Sequence, residues 1–237
     1  MGTATSTAGT VAEVVAIDGP AGAGKSTVAR ALARRLGYFL LDTGAIYRAV
    51  ALVARRQGVA WSDGPGLARV AQQMQLHFTA SGDVLVGEQP NVEDVSQAIR
   101  TPELSQGAST VSAHPEVRDA LLELQRRIAR QGRCVVEGRD IGTVVLPWAP
   151  VKFFLTARPE VRARRRHDEL EGRGVVVSLA DTLAEILERD HRDTTRATAP
   201  LKQADDAVLV DSSELTLDGV VEKLEALSVS VLGKILP

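Results

Sequence analysis

The residues of this chain best suited to chemistry are Gly19-Pro20-Ala21-Gly22-Ala23-Gly24-Lys25-Ser26. They fit G-x-x-x-x-G-K-[ST], the phosphate-binding P-loop. Glycines let backbone N–H groups turn inward around phosphate oxygens, and the N-terminus of a following helix adds a favourable dipole. Lys25 is placed to reach β- and γ-phosphates, and Ser26 to hold Mg²⁺. An apolar run, Val14–Ile17, precedes the motif, and a helical pattern, Ser26–Leu36, follows it. Strand, loop and helix in that order are what the motif needs to work.

A P-loop does not name the acceptor of the phosphoryl group; the other charged clusters bear on that. Asp42-Thr43-Gly44-Ala45-Ile46-Tyr47-Arg48 and Gly138-Arg139-Asp140-Ile141-Gly142-Thr143 each end a strand and open a helix. In an open parallel sheet, ligands sit beyond the carboxyl ends of the strands, so both clusters fall on the P-loop edge. Arg189, Asp193 and Arg196 are spaced i, i+4, i+7 and are expected on one helix face; an intrahelical ion pair is the plainer reading of that trio. The chain has only five lysines, so arginine supplies most of its positive charge, in the form suited to bidentate phosphate contacts.

Electrostatics favour a phosphate acceptor. Two phosphate charges about 5 Å apart repel by about 3–4 kcal/mol at an effective dielectric of ~20, so the site must supply cations. A hydroxyl acceptor calls for a base beside it, and a phosphate acceptor does not. No obvious base stands out, although a carboxylate substrate would also recruit arginine.

These residues need a frame. Apolar runs at Val14–Asp18, Tyr38–Leu41, Arg133–Val136, Val151–Leu155 and Ala207–Val210 alternate with helical stretches, which predicts an α/β fold with a parallel sheet flanked by helices. The rhythm breaks where Leu76–Ala80 and Val84–Gly87 flank Ser81-Gly82-Asp83, a hairpin inside an insertion spanning about 61–96. The turn signal Asp63-Gly64-Pro65-Gly66 stands near its start. Arg158, Arg162, Arg164, Arg165, Arg166 and Arg173 follow the Val151–Leu155 run. Alone they read as a solvated helix face; next to a P-loop they read better as a basic flap over ATP. The run from Leu215 to Leu236 predicts a packing helix.

Composition narrows the rest. At 237 residues the chain suits one α/β domain with a small insertion. A net charge of −2 gives no argument for nucleic acid, and no run approaches a membrane span. One cysteine, Cys134, and four scattered histidines exclude a disulfide framework and zinc spacing. Residues 1–10 are small and polar, expected disordered, and make a poor signal peptide; they also fit a loose N-acylation pattern common by chance. A cytoplasmic monomer is the default expectation. A GTPase-type switch fits badly, since the only asparagine, Asn91, precedes Val92-Glu93-Asp94 and cannot form N-K-x-D.

The chain resembles the bacterial cytidylate kinases, which phosphorylate CMP and dCMP from ATP. The resemblance rests on Ile17–Ser26, Leu41–Arg48, Glu93–Ser96, Ile99–Thr101, Glu137–Val145, Glu188–Asp190 and Arg196–Leu201, in family order from residue 14 to about 211. The D-T-G-A-I-Y-R and G-R-D-I-G-T-V-V stretches are the specific ones. The family has a nucleoside-monophosphate kinase fold, implying a CORE over 11–60 and 97–237, an NMP-binding insertion at 61–96 and a LID at 158–175. The resemblance implies ATP on Gly19, Pro20, Ala21, Gly22, Ala23, Gly24, Lys25, Ser26 and Thr27, covered by Arg162 and Arg165. It implies Arg48, Arg139 and Arg196 at the CMP phosphate and the transferring phosphoryl group, with Lys25, Arg139 and Arg196 as the catalytic cations. Thr43, Arg100 and Asp140 would face cytosine, Arg189 and Asp193 the ribose, and Tyr47 would line the pocket. Two departures stand out. Thr43 replaces a common serine, and Glu137 replaces a frequent aspartate where it could hold Mg²⁺ through water or cap the next helix. A P-loop kinase for another monophosphate or a small metabolite is the nearest rival.

Overall fold

The computed structural model describes residues 13–79 and 82–234. The expected N-terminal tail, the Ala80-Ser81 part of the hairpin turn and the last three residues lie outside the described residues. The central sheet contains β1 (Val14–Asp18), β2 (Phe39–Asp42), β6 (Cys134–Gly138), β7 (Val151–Thr156) and β8 (Val208–Asp211). Its order is β2-β6-β1-β7-β8, and every neighbouring pair is parallel. The α/β expectation therefore holds, with strand ends differing by one or two residues.

Alternate strand residues feed two cores, as the period of two requires. Val14 and Ala16 of β1, with Cys134 and Val136 of β6, face one core; Val15, Ile17 and Val135 face the other. The first core is covered by α2 (Thr43–Arg56), α3 (Gly64–Gln73), α4 (Pro102–Val111) and α5 (Pro115–Ala129); the second by α1 (Lys25–Leu36) and α8 (Leu217–Leu232). Each fully buried Leu or Ile contributes about 1.5–3 kcal/mol. Cys134 is a buried strand thiol, and burial pushes it up to about 12, far from reactive.

The hairpin inside 61–96 is part of a three-stranded antiparallel sheet. It comprises β3 (Leu76–Phe78), β4 (Val84–Val86) and a short β5 (Glu93–Asp94). Leu67, Val70, Val84 and Val95 from this segment join the first core, so it is packed onto the body of the protein. The basic stretch forms α6 (Pro159–Glu171), which packs along α7 (Leu179–Thr195). No helix among the described residues is long and apolar enough to cross a membrane.

Candidate active site

β1 ends at Asp18, and the chain turns at once into the P-loop. Gly19 adopts φ +150°, and a Cβ there would lie 1.9 Å from the Leu155 carbonyl oxygen, so no other residue fits. Gly24 caps α1 in the left-handed conformation, φ 85°. Lys25 opens that helix, 6 % exposed, with Nζ donating to the Pro20 carbonyl at 2.7 Å. Ala21 through Thr27 line a cavity of about 660 Å³. Gly19 and Pro20 shape the loop from beneath.

The cavity lies beyond the carboxyl ends of the strands. Among the described residues, ten cationic side chains and five carboxylates line it. Burial, and then the Arg139 charge, push Lys25 down to about 7; burial, and then Asp42, push Glu137 up. Arg189 is lowered to about 10, by burial first and Arg139 next. The buried Nε donors of Arg48 and Arg189 have no hydrogen-bond partner in the protein. Unpaired buried donors and like charges held together are costly unless an anion joins them.

One wall carries the phosphate-facing candidates. Asp42 caps α2 through the Ala45 amide at 2.9 Å and accepts from Arg48 Nη2 at 2.7 Å. Arg139, just past β6, donates its Nε to Asp193 of α7 at 2.9 Å. Burial works against the Asp193 carboxylate, yet the charges of Arg139 and then Arg189 hold it below the usual range. Glu137 sits within β6, not at a loop start, and its Oε1 is buried without a partner. Ser26 lies within hydrogen-bonding range of its carboxyl group. This serine–carboxylate pair fits a hard divalent cation bound partly through water. A helix-capping role for Glu137 does not match its place in the strand.

At the far wall, Asp140 is 5 % exposed between two guanidinium groups. Arg118 Nη2 donates to its Oδ2, and Arg196 Nη2 to its Oδ1 at 3.3 Å. Burial pushes Asp140 up despite both cations. The Arg118 guanidinium carbon lies 5.8 Å from the centre of the buried Tyr47 ring. Ser109 of α4, with an unpartnered Oγ, lines the same region.

Four expectations change. Arg196 is not on the α7 face, because the helix ends at Thr195 and Arg196 is its extended cap, φ −60° and ψ 141°. It still reaches the cavity, since its Nε bond to the Ala199 carbonyl at 2.7 Å fixes it there. Arg100 was expected with Asp140, but its charge is felt at Asp42, beside Arg48. The arginine at Asp140 is Arg118. The signal for it was Val117, Arg118, Leu121 and Gln125 forming one buried stripe of α5. Thr43 lines the cavity, but its hydroxyl donates to the Glu137 carbonyl at 2.7 Å, leaving only lone pairs for a ligand.

Arg162 departs most. It is 5 % exposed and lies outside the cavity lining. Its Nη1 donates to the Ala21 carbonyl at 2.9 Å and to Asp190 at 2.5 Å, and Asp190 accepts the Ala21 amide at 3.1 Å. Arginine and aspartate thus hold both polar groups of one P-loop residue, so Arg162 braces the loop. Arg165 does line the cavity and is anchored to Ser212 by bonds of 2.9 and 2.7 Å. Just past α6, Arg173 reaches the Arg100 carbonyl at 3.2 Å, joining the basic stretch to the acceptor side.

A P-loop and an excess of fixed positive charge at the open edge of a parallel sheet make this a P-loop phosphotransferase. Comparison with known proteins narrows that class. The profile of the family described as cytidylate kinase matches residues 15–228. The chain is 51 % identical over 215 residues to a cytidylate kinase of Geobacter sp. strain M21, covering 90 % of this chain and 91 % of that one. It is 48 % identical over 222 residues to the cytidylate kinase of Geobacter sulfurreducens, covering 94 % and 95 %. The chain belongs to the cytidylate kinase family. Among solved structures, an uncharacterized protein from Eubacterium ventriosum superposes with a TM-score of 0.51 at 13 % identity, over 92 % of this chain and 98 % of that one; this likeness concerns the fold alone.

Proposed function

We propose that the enzyme transfers the γ-phosphoryl group of ATP to CMP or dCMP, giving ADP and the nucleoside diphosphate. The observation that carries this reading is the Arg118–Asp140–Arg196 cluster, across the cavity from the P-loop. Cytosine offers an amino donor at N4 and acceptors at N3 and O2. A carboxylate has lone pairs beyond those that two arginines occupy, so Asp140 can accept from N4 while a guanidinium donates to the acceptor edge.

The remaining roles follow from position. Lys25 and the P-loop amides take the phosphates of ATP. Arg48 and Arg100 take the acceptor phosphate. Arg139, between the two, neutralises charge on the phosphoryl group in flight, and Arg196 supports it from the base side. Arg189 and Asp193 face the ribose. A phosphate acceptor needs no general base. Ser26 and Glu137 would hold Mg²⁺, which supplies charge neutralisation across the β- and γ-phosphates when bound. The basic segment 158–175, with Arg165 over the nucleotide, would exclude water and suppress hydrolysis.

The direct test is ADP production with Mg·ATP and CMP, dCMP, UMP, AMP, GMP, shikimate or no acceptor. Turnover confined largely to CMP and dCMP supports the assignment. A preference for UMP or AMP keeps the kinase and removes the base contacts. Hydrolysis indifferent to acceptor removes the acceptor site.

Asp193→Ala should weaken CMP binding about tenfold and also lower kcat, because Asp193 braces Arg139 as well as facing the ribose. Equilibrium binding with steady-state kinetics checks both; unchanged CMP affinity removes Asp193 from the ribose site. Lys25, lowered to about 7, is mostly neutral at pH 8. A phosphate tail raises its pKa, so ATP binding at pH 8 should take up protons. Calorimetry in two buffers of different ionisation enthalpy reads the uptake, and identical heats would contradict it.

A further inference from the structure

Asp18 is buried, 3 % exposed, and none of the roles above uses it. It ends β1, one residue before the P-loop begins. Its Oδ1 accepts the Ile141 amide and its Oδ2 the Gly142 amide, each at 2.7 Å. Those amides open a π-helical turn, Ile141–Val145, that starts immediately after Arg139 and Asp140. Such turns are rare and need outside contacts to persist. At the other end of the turn, Arg126 of α5 donates Nε to the Val145 carbonyl at 3.0 Å and Nη2 to the Val144 carbonyl at 3.1 Å. A carboxylate thus holds the N–H end and a guanidinium the carbonyl end, each matching the local dipole.

We propose that Asp18 is a positioning residue for the transfer reaction: it sets the placement of Arg139 and Asp140 relative to the P-loop. The requirement is specific to a carboxylate. Two adjacent amides need two acceptor oxygens with no competing donor, and asparagine would aim an NH₂ group at one of them. Keeping an ionisable group there is costly. Burial pushes Asp18 up to about 6, the two amides oppose that, and the charges of Asp140 and Lys25 act in opposite senses. A cost of this kind is retained where geometry matters more than stability. Asp18 ties the first residue of the nucleotide loop to the first residues after the acceptor-reading pair, so the two substrate sites share one brace.

The inference rests on Asp140 reading the base, and the test separates the two. The readout is the ratio of kcat/KM for CMP to that for UMP, which the folded fraction of a preparation cannot change. Asp18→Asn should lower this ratio about tenfold, the worth of one hydrogen bond to a charged group. The KM for ATP should stay within about threefold. Asp140→Asn, measured alongside, must also lower the ratio. If Asp140→Asn moves the ratio and Asp18→Asn does not, Asp18 serves stability alone and the proposal fails. If neither moves it, base reading by Asp140 fails and takes this inference with it. Should Asp18→Asn yield no folded enzyme, Arg126→Gln loosens the same turn from its other end. A ratio lowered about threefold there supports the proposal, and an unchanged ratio overturns it.

Discussion

Replacing Arg139 with alanine is expected to lower kcat by about three orders of magnitude while the KM for ATP stays within about threefold. Arg139 lines the cavity between the P-loop and the base-reading cluster, and Asp193 holds its Nε at 2.9 Å. That bond leaves the terminal nitrogens free to meet oxygens whose charge develops during transfer. A group that acts mainly on the transition state shows in kcat and not in ground-state binding. Its neighbours cannot take over, because Arg196 is committed to Asp140 and the Ala199 carbonyl, and Arg48 to Asp42. Arg139→Lys should fall between wild type and alanine, keeping the charge but losing the planar fork. Steady-state kinetics in both substrates decide the point. Equal losses in ATP binding and turnover would move Arg139 into the ATP site.

Asp140→Asn should reduce discrimination between CMP and UMP by about two orders of magnitude. Asparagine has nearly the same size but offers an amide donor beside a single acceptor oxygen. Uracil carries a carbonyl where cytosine carries its amino group, so the variant can pair with the wrong base. The change also removes the charge between two buried guanidinium groups, 7 % exposed on each side chain. Asp140→Ala removes all hydrogen bonding there and should cost about 3–5 kcal/mol of stability, the usual penalty for stranding a buried charge. Thermal unfolding reads that loss, and the CMP and UMP kinetics read the specificity. Intact discrimination in Asp140→Asn would show that another group reads the base.

The sequence limited what could be known of each arginine to its local surroundings. Arg139, Asp140 and Arg48 sit directly after strands, and a parallel sheet sends everything after its strands to one edge. Their convergence was therefore legible. Arg118 lies in the middle of an amphipathic helix, where arginine ordinarily faces water. Only the packing of α5 under α4 and beside the Ile141–Val145 turn buries it against Asp140. Arg100 and Arg118 could not be told apart as partners of Asp140 without knowing which helix crosses above it.

The basic segment shows the same limit from the other side. Its composition predicted a flap of arginines over the nucleotide. The docking of α6 on α7 instead turns Arg162 inward to the Ala21 peptide and Asp190, while Arg165 lines the cavity. Helical spacing separates faces but does not say which face meets a neighbour. Likewise, i, i+7 spacing joined Arg196 to Asp193 only on the assumption of continuous helix, and α7 stops one residue short.

Local chemistry settled the phosphate loop, the strands and the class of reaction. A glycine-rich turn between an apolar strand and a helix has few other stable uses, and the β-period of two and helical period of 3.6 are properties of neighbouring residues. Tertiary structure alone decided which buried charges pair across elements: Arg118 with Asp140, Arg139 with Asp193, and Asp18 with the amides of Ile141 and Gly142. Those partners lie 22, 54, 123 and 124 residues apart along the chain, and each pairing depends on how helices and strands pack, which no local pattern encodes.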